Sequence, residues 1–120
     1  MKKELYLRGE LYYAKLGRGI GSEQSGNRPV VILQNNLGNQ HSPTVIVAPV
    51  TKRKADRKPL PAHYPIGPEN GLSLPSVILL EQLCTIDKRR LGNYIGRLKD
   101  GQMQALEQAL AISLGLRGLL

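Results

Sequence analysis

The chain has 120 residues, with 17 Lys and Arg against 9 Asp and Glu, giving a formal net charge of +8. Its 41% hydrophobic and 22% charged content argues against disorder, and no apolar run approaches the ~18–20 residues that a membrane span needs. A single cysteine, Cys84, excludes an intramolecular disulfide and a cysteine-built zinc site. Residues 10–16 (Glu-Leu-Tyr-Tyr-Ala-Lys-Leu) mix β-formers with charges and read as a first strand after the turn signal Arg8-Gly9. The stretch from Gly17 to Asn27 holds four glycines in eleven residues, which cannot sustain a helix or a central strand. It is longer than a usual hairpin connection and reads as a functional loop.

Two β-branched runs follow, residues 29–34 and 44–50, each with the composition of a strand buried on both faces. Between them, residues 35–43 are turn chemistry throughout. Pro59, Pro61 and Pro65 leave room only for an edge strand across 59–66. Residues 76–82 form a third run and 93–98 a weaker one, with a short turn between them at 85–90. Met103, Leu106, Leu110 and Ser113/Leu114 recur at helical spacing, with Asp100 placed to cap the start and Gly115 to end the helix. Residues 117–120 read either as a fraying end or as a dimer contact. The expected architecture is a strongly curved β-sheet or small barrel carrying one C-terminal helix, in a single domain over 1–120.

The charge favours a polyanionic partner, since a basic field attracts and steers phosphate backbones. A solvated basic surface without a partner is the plainer alternative. Aromatics are 4% of the chain and all tyrosine, so base stacking is a minor contributor and backbone contacts dominate any binding. No P-loop is present, because the glycine-rich loop lacks the Gly-Lys-Ser/Thr ending. His41 and His63 lack metal-ligand spacing and read as exposed loop residues; no metal and no cofactor are expected. What remains is a polar constellation beside strands. Ser22, Glu23 and Gln24 end the glycine-rich loop, Arg28 precedes a proline and a buried run, and Glu81-Gln82 closes the third run. Thr51 opens a segment, Lys52 to Lys58, with five basic residues in seven. Arg28 and Thr51 each sit where an apolar strand meets a loop, combining rigid positioning with solvent access. Taken singly, Arg28 also reads as a surface ion-pair residue, Thr51 as a strand-end cap, the basic run as a solvated loop, and Glu81-Gln82 as partners of buried backbone.

These residues carry a family resemblance. Arg8 to Ala14, then Gly-Ser-Glu-Gln-Ser-Gly-Asn-Arg-Pro over 21–29, resemble the opening of MazF/PemK-type toxins, the endoribonucleases of type II toxin–antitoxin systems. The likeness continues through Leu-Leu-Glu-Gln (79–82), Thr-Ile-Asp-Lys (85–88) and 109–116, spanning about 8–116. It implies an SH3-like β-barrel with a C-terminal helix, usually a homodimer, and metal-independent cutting of single-stranded RNA; the lone cysteine and the lack of an apolar span make the cytoplasm the default compartment. Cutting would leave 2′,3′-cyclic phosphate and 5′-OH ends and arrest translation and growth. By the same resemblance Arg28 and Thr51 are catalytic, and Glu23, Ser76, Glu81 and Gln82 line the RNA groove. Ser22, Gln24, Lys52 and Arg53 are their neighbours for RNA binding, and Glu23 is the conventional base or positioning candidate. The implied partner is a small antitoxin whose acidic tail occupies the basic groove. Three positions depart from the family: Cys84 stands where many relatives have arginine, Pro49 is expected to interrupt the strand leading to Thr51, and Ser25 replaces a common glycine. Two rivals share the same features, a CcdB-type toxin that binds DNA gyrase without cleaving anything, and a basic SH3-like RNA-binding module.

Overall fold

A computed structural model describes residues 5–55 and 60–116. Two registers of burial run along its first strands, as the β-branched sequence dictates. Val30 and Ile32 turn to one face and Val31 and Leu33 to the other, all buried, because side chains alternate across a strand. The strands are β1 (Glu10–Lys15), β2 (Asn27–Ile32), β3 (Thr44–Lys52), β4 (His63–Ile66), β5 (Ser76–Leu79), β6 (Cys84–Asp87) and β7 (Leu91–Arg97). They pair antiparallel in the order β4-β5-β3-β2-β1-β7, with β6 paired to β3 beside that path.

β3 is the spine. Its first half, Thr44 to Val47, pairs with β6, and its last three residues, Val50 to Lys52, pair with β5. On its other side the ladder to β2 runs from Ile32↔Val47 to Val30↔Pro49 and ends there, at a residue without an N–H. The sheet is the expected SH3-like architecture, open between its end strands β4 and β7. The opening is bridged by backbone packing, where the 3-10 turn Pro68–Asn70 lies against β7. A Cβ on Gly96 would overlap the Asn70 carbonyl oxygen, and one on Gly71, at φ +95°, would overlap that of Ile95. Only glycine fits either position.

The helix α2 (Asp100–Leu114) covers one core. Leu106 and Ala109 are buried, with Met103 and Leu110 packed beside Leu11, Val31, Val50, Ile78 and Leu80. Leu114, expected on this face, is 53% exposed; Ser113 takes the final contact, its hydroxyl donating to the Leu80 carbonyl at 2.8 Å. The start also differs. Lys99 is the N-cap and Asp100 lies in the first turn, while the Gln102 side chain accepts the Lys99 N–H at 2.9 Å. Gly115 ends the helix in the left-handed conformation, at φ 69°. The second core lies on the opposite face of β1–β2–β3, around Tyr12, Val30, Ile32, Val45 and Val47, with Tyr6 edge-on to Tyr12 at 5.0 Å.

Several expected boundaries move. A short helix, α1 (Asn36–His41), forms where turn chemistry alone was expected. Asn35 caps it by accepting the Gly38 N–H at 2.8 Å, and Lys88 Nζ donates to the Asn39 carbonyl, so tertiary contacts stabilise a glycine- and asparagine-rich turn of weak helix propensity. His41 ends this helix and is exposed. The third run stops being a strand at Leu79, and Leu80–Gln82 is a 3-10 turn. The turn expected at 85–90 is strand β6 followed by a 3-10 turn at Lys88–Arg90. Pro49 is buried within a continuous β3 and does not interrupt it. Asp56, Arg57 and Lys58 of the basic run, and residues 117–120, lie outside the described residues.

Candidate active site

Arg28 belongs to β2, level with Ala14 of β1, and Thr51 belongs to β3, level with Val77 of β5. Each lies one residue inside the end of its strand, next to the strand-to-loop boundary expected from sequence. The β2–β3 register, continued two residues past Val30↔Pro49, brings Arg28 level with Thr51 just where the two strands part. Arg28 is half-buried, and its Nε–H donates to the Ser25 carbonyl oxygen at 2.9 Å. That bond fixes the plane of the guanidinium and leaves the two terminal nitrogens to point a fork at a ligand. It uses the backbone of Ser25, so the departure from glycine there does not disturb it.

Two recesses meet at this point. One, of about 770 Å³, is lined by Ser22, Glu23, Gln24, Ser25, Arg28, Leu60, His63, Leu79, Glu81 and Gln82. The other, of about 710 Å³, is lined by Thr51, Lys52, Arg53, Lys54, Leu60, His63, Val77 and Leu79 among others. Leu60, His63 and Leu79 are common to both, so they form a shared wall with Arg28 on one side and Thr51 on the other. Lys52, Arg53 and Lys54 are exposed along the Thr51 side and supply its positive field.

The glycine-rich loop forms the rim, and its shape follows from a few bonds. Leu16 N–H donates to Gly26 and Gly26 N–H to Gly17, each at 2.9 Å, which closes the loop at its base. Glu23 accepts the Ile20 N–H on Oε1 at 2.7 Å and is otherwise exposed. The Gln82 side chain then ties the loop to the 3-10 turn, accepting the Gln24 N–H at 2.9 Å and donating to the Ser22 carbonyl at 3.0 Å. Gln24 Oε1 is buried and meets no donor among the described residues. Beyond this ridge lies a third recess, bordered by Arg18, Arg90 and Asp87, where Cys84 is half-buried. Burial pushes the Cys84 thiol above its ordinary value, so it stays protonated and weakly nucleophilic.

Of the residues expected to act, Arg28, Glu23, Ser22, Gln24, Glu81 and Gln82 converge on the first recess and Thr51, Lys52 and Arg53 on the second. Ser76 does not join them: it is buried, and its hydroxyl donates to the Leu74 carbonyl at 2.9 Å. His63, expected to be an exposed loop residue, stands on β4 with its side chain only 8% exposed and Nε2 at 2.8 Å from Glu81 Oε2. The alternation Ala62, Tyr64, Ile66, all turned to the core, carried the signal that His63 faces the other way. Among the described residues no group of three or more His, Cys, Asp or Glu is placed to hold a metal ion. No helix among them is long and apolar enough to cross a membrane.

Comparison with known proteins decides what this arrangement belongs to. A family profile described as PemK-like, MazF-like toxin of type II toxin–antitoxin system matches residues 7–114. The chain belongs to the PemK/MazF toxin family. Endoribonuclease EndoA of Bacillus subtilis is 48% identical to it over 110 residues, 91% of this chain and 94% of that one. A mycobacterial endoribonuclease, solved in complex with its cognate antitoxin, is 30% identical with a TM-score of 0.77, covering 92% of this chain and 96% of that one. MazF from Deinococcus radiodurans, at 22% identity, shares the fold with a TM-score of 0.77 over 95% and 100% of the two chains.

Proposed function

We propose that this chain is a toxin that cuts single-stranded RNA in the cleft between Arg28 and Thr51, without a metal ion. The observation that carries the reading is the Arg28 guanidinium, anchored through Nε and open at its other nitrogens, level with Thr51 beside the basic edge Lys52–Lys54. Scission uses the substrate's own 2′-OH. Its oxygen forms a bond to the adjacent phosphorus, the bond to the 5′-oxygen breaks, and a 2′,3′-cyclic phosphate and a 5′-OH result. One proton leaves the 2′-OH and one reaches the departing oxygen, so the site needs a base, an acid and a grip on the anionic phosphorane between them.

Arg28 suits the grip, since its fork matches two non-bridging oxygens at once; a guanidinium is a poor proton donor at neutral pH. The Thr51 hydroxyl has no protein hydrogen-bond partner among the described residues and can orient the phosphate or the 2′-OH. Glu23 is the base candidate: Ile20 holds one carboxylate oxygen and the other is available for a proton. Lys52 and Arg53 draw in the backbone, and Ser22, Gln24, Glu81 and Gln82 line the path of the bases. A homodimer, a cytoplasmic site of action, and an antitoxin with an acidic tail that competes for the same basic edge complete the proposal.

The test is cleavage of a long single-stranded RNA in excess EDTA, with the ends and cut sites mapped, beside Arg28→Ala and Thr51→Ala. Cuts at one short recurring sequence with cyclic-phosphate ends, absent in both variants, support the reading. RNA left intact by a wild-type protein that still arrests growth overturns it in favour of a gyrase-binding toxin, and a DNA supercoiling assay then follows.

A further inference from the structure

We infer that His63 is a positioning residue: one imidazole, fixed in its Nε2–H tautomer, latches the 3-10 turn that carries Glu81 to the turn that carries Leu60, and protonation opens the latch. The inference rests on the cleft proposed above as the RNA site. Its geometry is specific. The Leu60 backbone N–H donates to His63 Nδ1 at 3.3 Å, which requires a lone pair there, and the His63 backbone N–H donates to the Leu60 carbonyl at 2.9 Å. With Nδ1 accepting, the ring proton resides on Nε2, where it donates to Glu81 Oε2 at 2.8 Å. Leu60 and Glu81 come from segments about twenty residues apart, and Leu60, His63 and Glu81 all border the recess that holds Arg28. Leu60 and His63 also border the recess that holds Thr51.

A protonated ring cannot make both bonds. A second proton on Nδ1 would set an N–H against the Leu60 N–H, two donors with no acceptor between them, while the Glu81 contact would gain charge assistance. The ring would keep Glu81 and release the Leu60 N–H, leaving the backbone bond alone to hold that turn and loosening the wall that both recesses share. The charged groups around the ring include Glu81 on its 3-10 turn, Arg28 from β2, Glu23 from the glycine-rich rim, and Lys52, Arg53 and Lys54 from the end of β3. His63 touches no reacting atom in this account, so its loss alters how substrate is seated rather than the chemical step.

Two substitutions separate the halves of the latch. His63→Asn keeps an acceptor near the Nδ1 position and cannot be protonated; His63→Gln keeps a donor near the Nε2 position. The first measurement needs neither RNA nor a variant: long-range 1H–15N spectra of the wild-type imidazole, with the Leu60 amide followed as the pH is lowered. An Nε2–H tautomer at neutral pH, with a Leu60 amide that shifts as the ring protonates, supports the latch. An Nδ1–H tautomer, or a Leu60 amide indifferent to ring protonation, overturns it even if the protein cuts no RNA. In cleavage assays His63→Ala is expected to raise KM about tenfold, the equivalent of one or two lost hydrogen bonds, with kcat within about threefold. His63→Asn should recover most of that KM and should lack the rise in KM that the latch predicts for the wild type on acidification. A kcat loss of about a hundredfold at unchanged KM, or an acid rise in KM that persists in His63→Asn, refutes the positioning role.

Discussion

Replacing Arg28 by lysine separates charge from geometry at the centre of the proposed chemistry. Arg28 does two things at once: its Nε–H is spent on the Ser25 carbonyl at 2.9 Å, and its remaining nitrogens form the fork that faces the cleft. Lysine has a single nitrogen and must choose between that carbonyl and the phosphate. It therefore loses either the anchor or the contact, and in both cases one of two parallel donors to the phosphorane disappears. Losing one preorganised oxyanion donor costs about 3 kcal/mol, or roughly a hundred- to three-hundred-fold in kcat. Arg28→Ala removes the charge as well and should cost about 10⁴-fold. The assay is single-turnover cleavage of a short RNA bearing a mapped cut site, in EDTA, with saturating protein. Thermal melting accompanies it, because one part-buried hydrogen bond to Ser25 is worth only about 1 kcal/mol of stability. A lysine variant that cuts within about fivefold of wild type would show that a point charge suffices and would refute the fork.

Other expectations follow from the same contacts. Gln82→Ala removes both bonds that hold Ser22 and Gln24, so the amides of 20–26 should exchange faster with solvent and stability should fall by about 1–2 kcal/mol; unchanged exchange would mean that the loop is held otherwise. Leu106→Ala opens a cavity under α2 at a fully buried position and should lower stability by about 2–5 kcal/mol in denaturant unfolding. Gly96→Ala drives a methyl group into the Asn70 carbonyl and should abolish a cooperative melt or lower its midpoint by many degrees, whereas Gly101→Ala, with open space around it, should not. Stability should also fall in alkali. Burial first, and then the hydrogen bond to Glu10, raise the Tyr12 phenol well above its ordinary value, and burial raises Tyr6. The unfolded chain then loses phenolic protons that the folded chain retains, so this stability is intact below the ordinary phenol value of ~10 and is lost as pH rises beyond it. Tyr12→Phe should flatten that decline, as read from melting midpoints across the alkaline range.

The sequence by itself determined most of the strands and the packed face of the helix. Two-faced β-branched runs fix β2 and β3 because a strand of Val and Ile with no polar face has to be covered on both sides, and it is, except at Ile46, which is 40% exposed. Helical spacing at Met103, Leu106 and Leu110 fixes the face of α2, and Gly115 its end. The motifs around Arg28 and Glu81-Gln82 pointed to the cleft, since rim residues need particular side chains more than particular neighbours. Short elements were not legible in this way. α1 and β6 lack a strong local preference and exist because Lys88 and the free edge of β3 supply their partners. Tertiary structure alone decided that Ser76 is spent on Leu74, and that Leu114 turns outward while Ser113 takes its contact. It also decided that the β2–β3 ladder stops at Pro49 and parts around Arg28 and Thr51. His63 shows the difference most clearly. Its residue type was visible, but its hydrogen bonds pair a local one, from Leu60 in the same turn, with one to Glu81 eighteen residues on, and only the packed chain supplies the second.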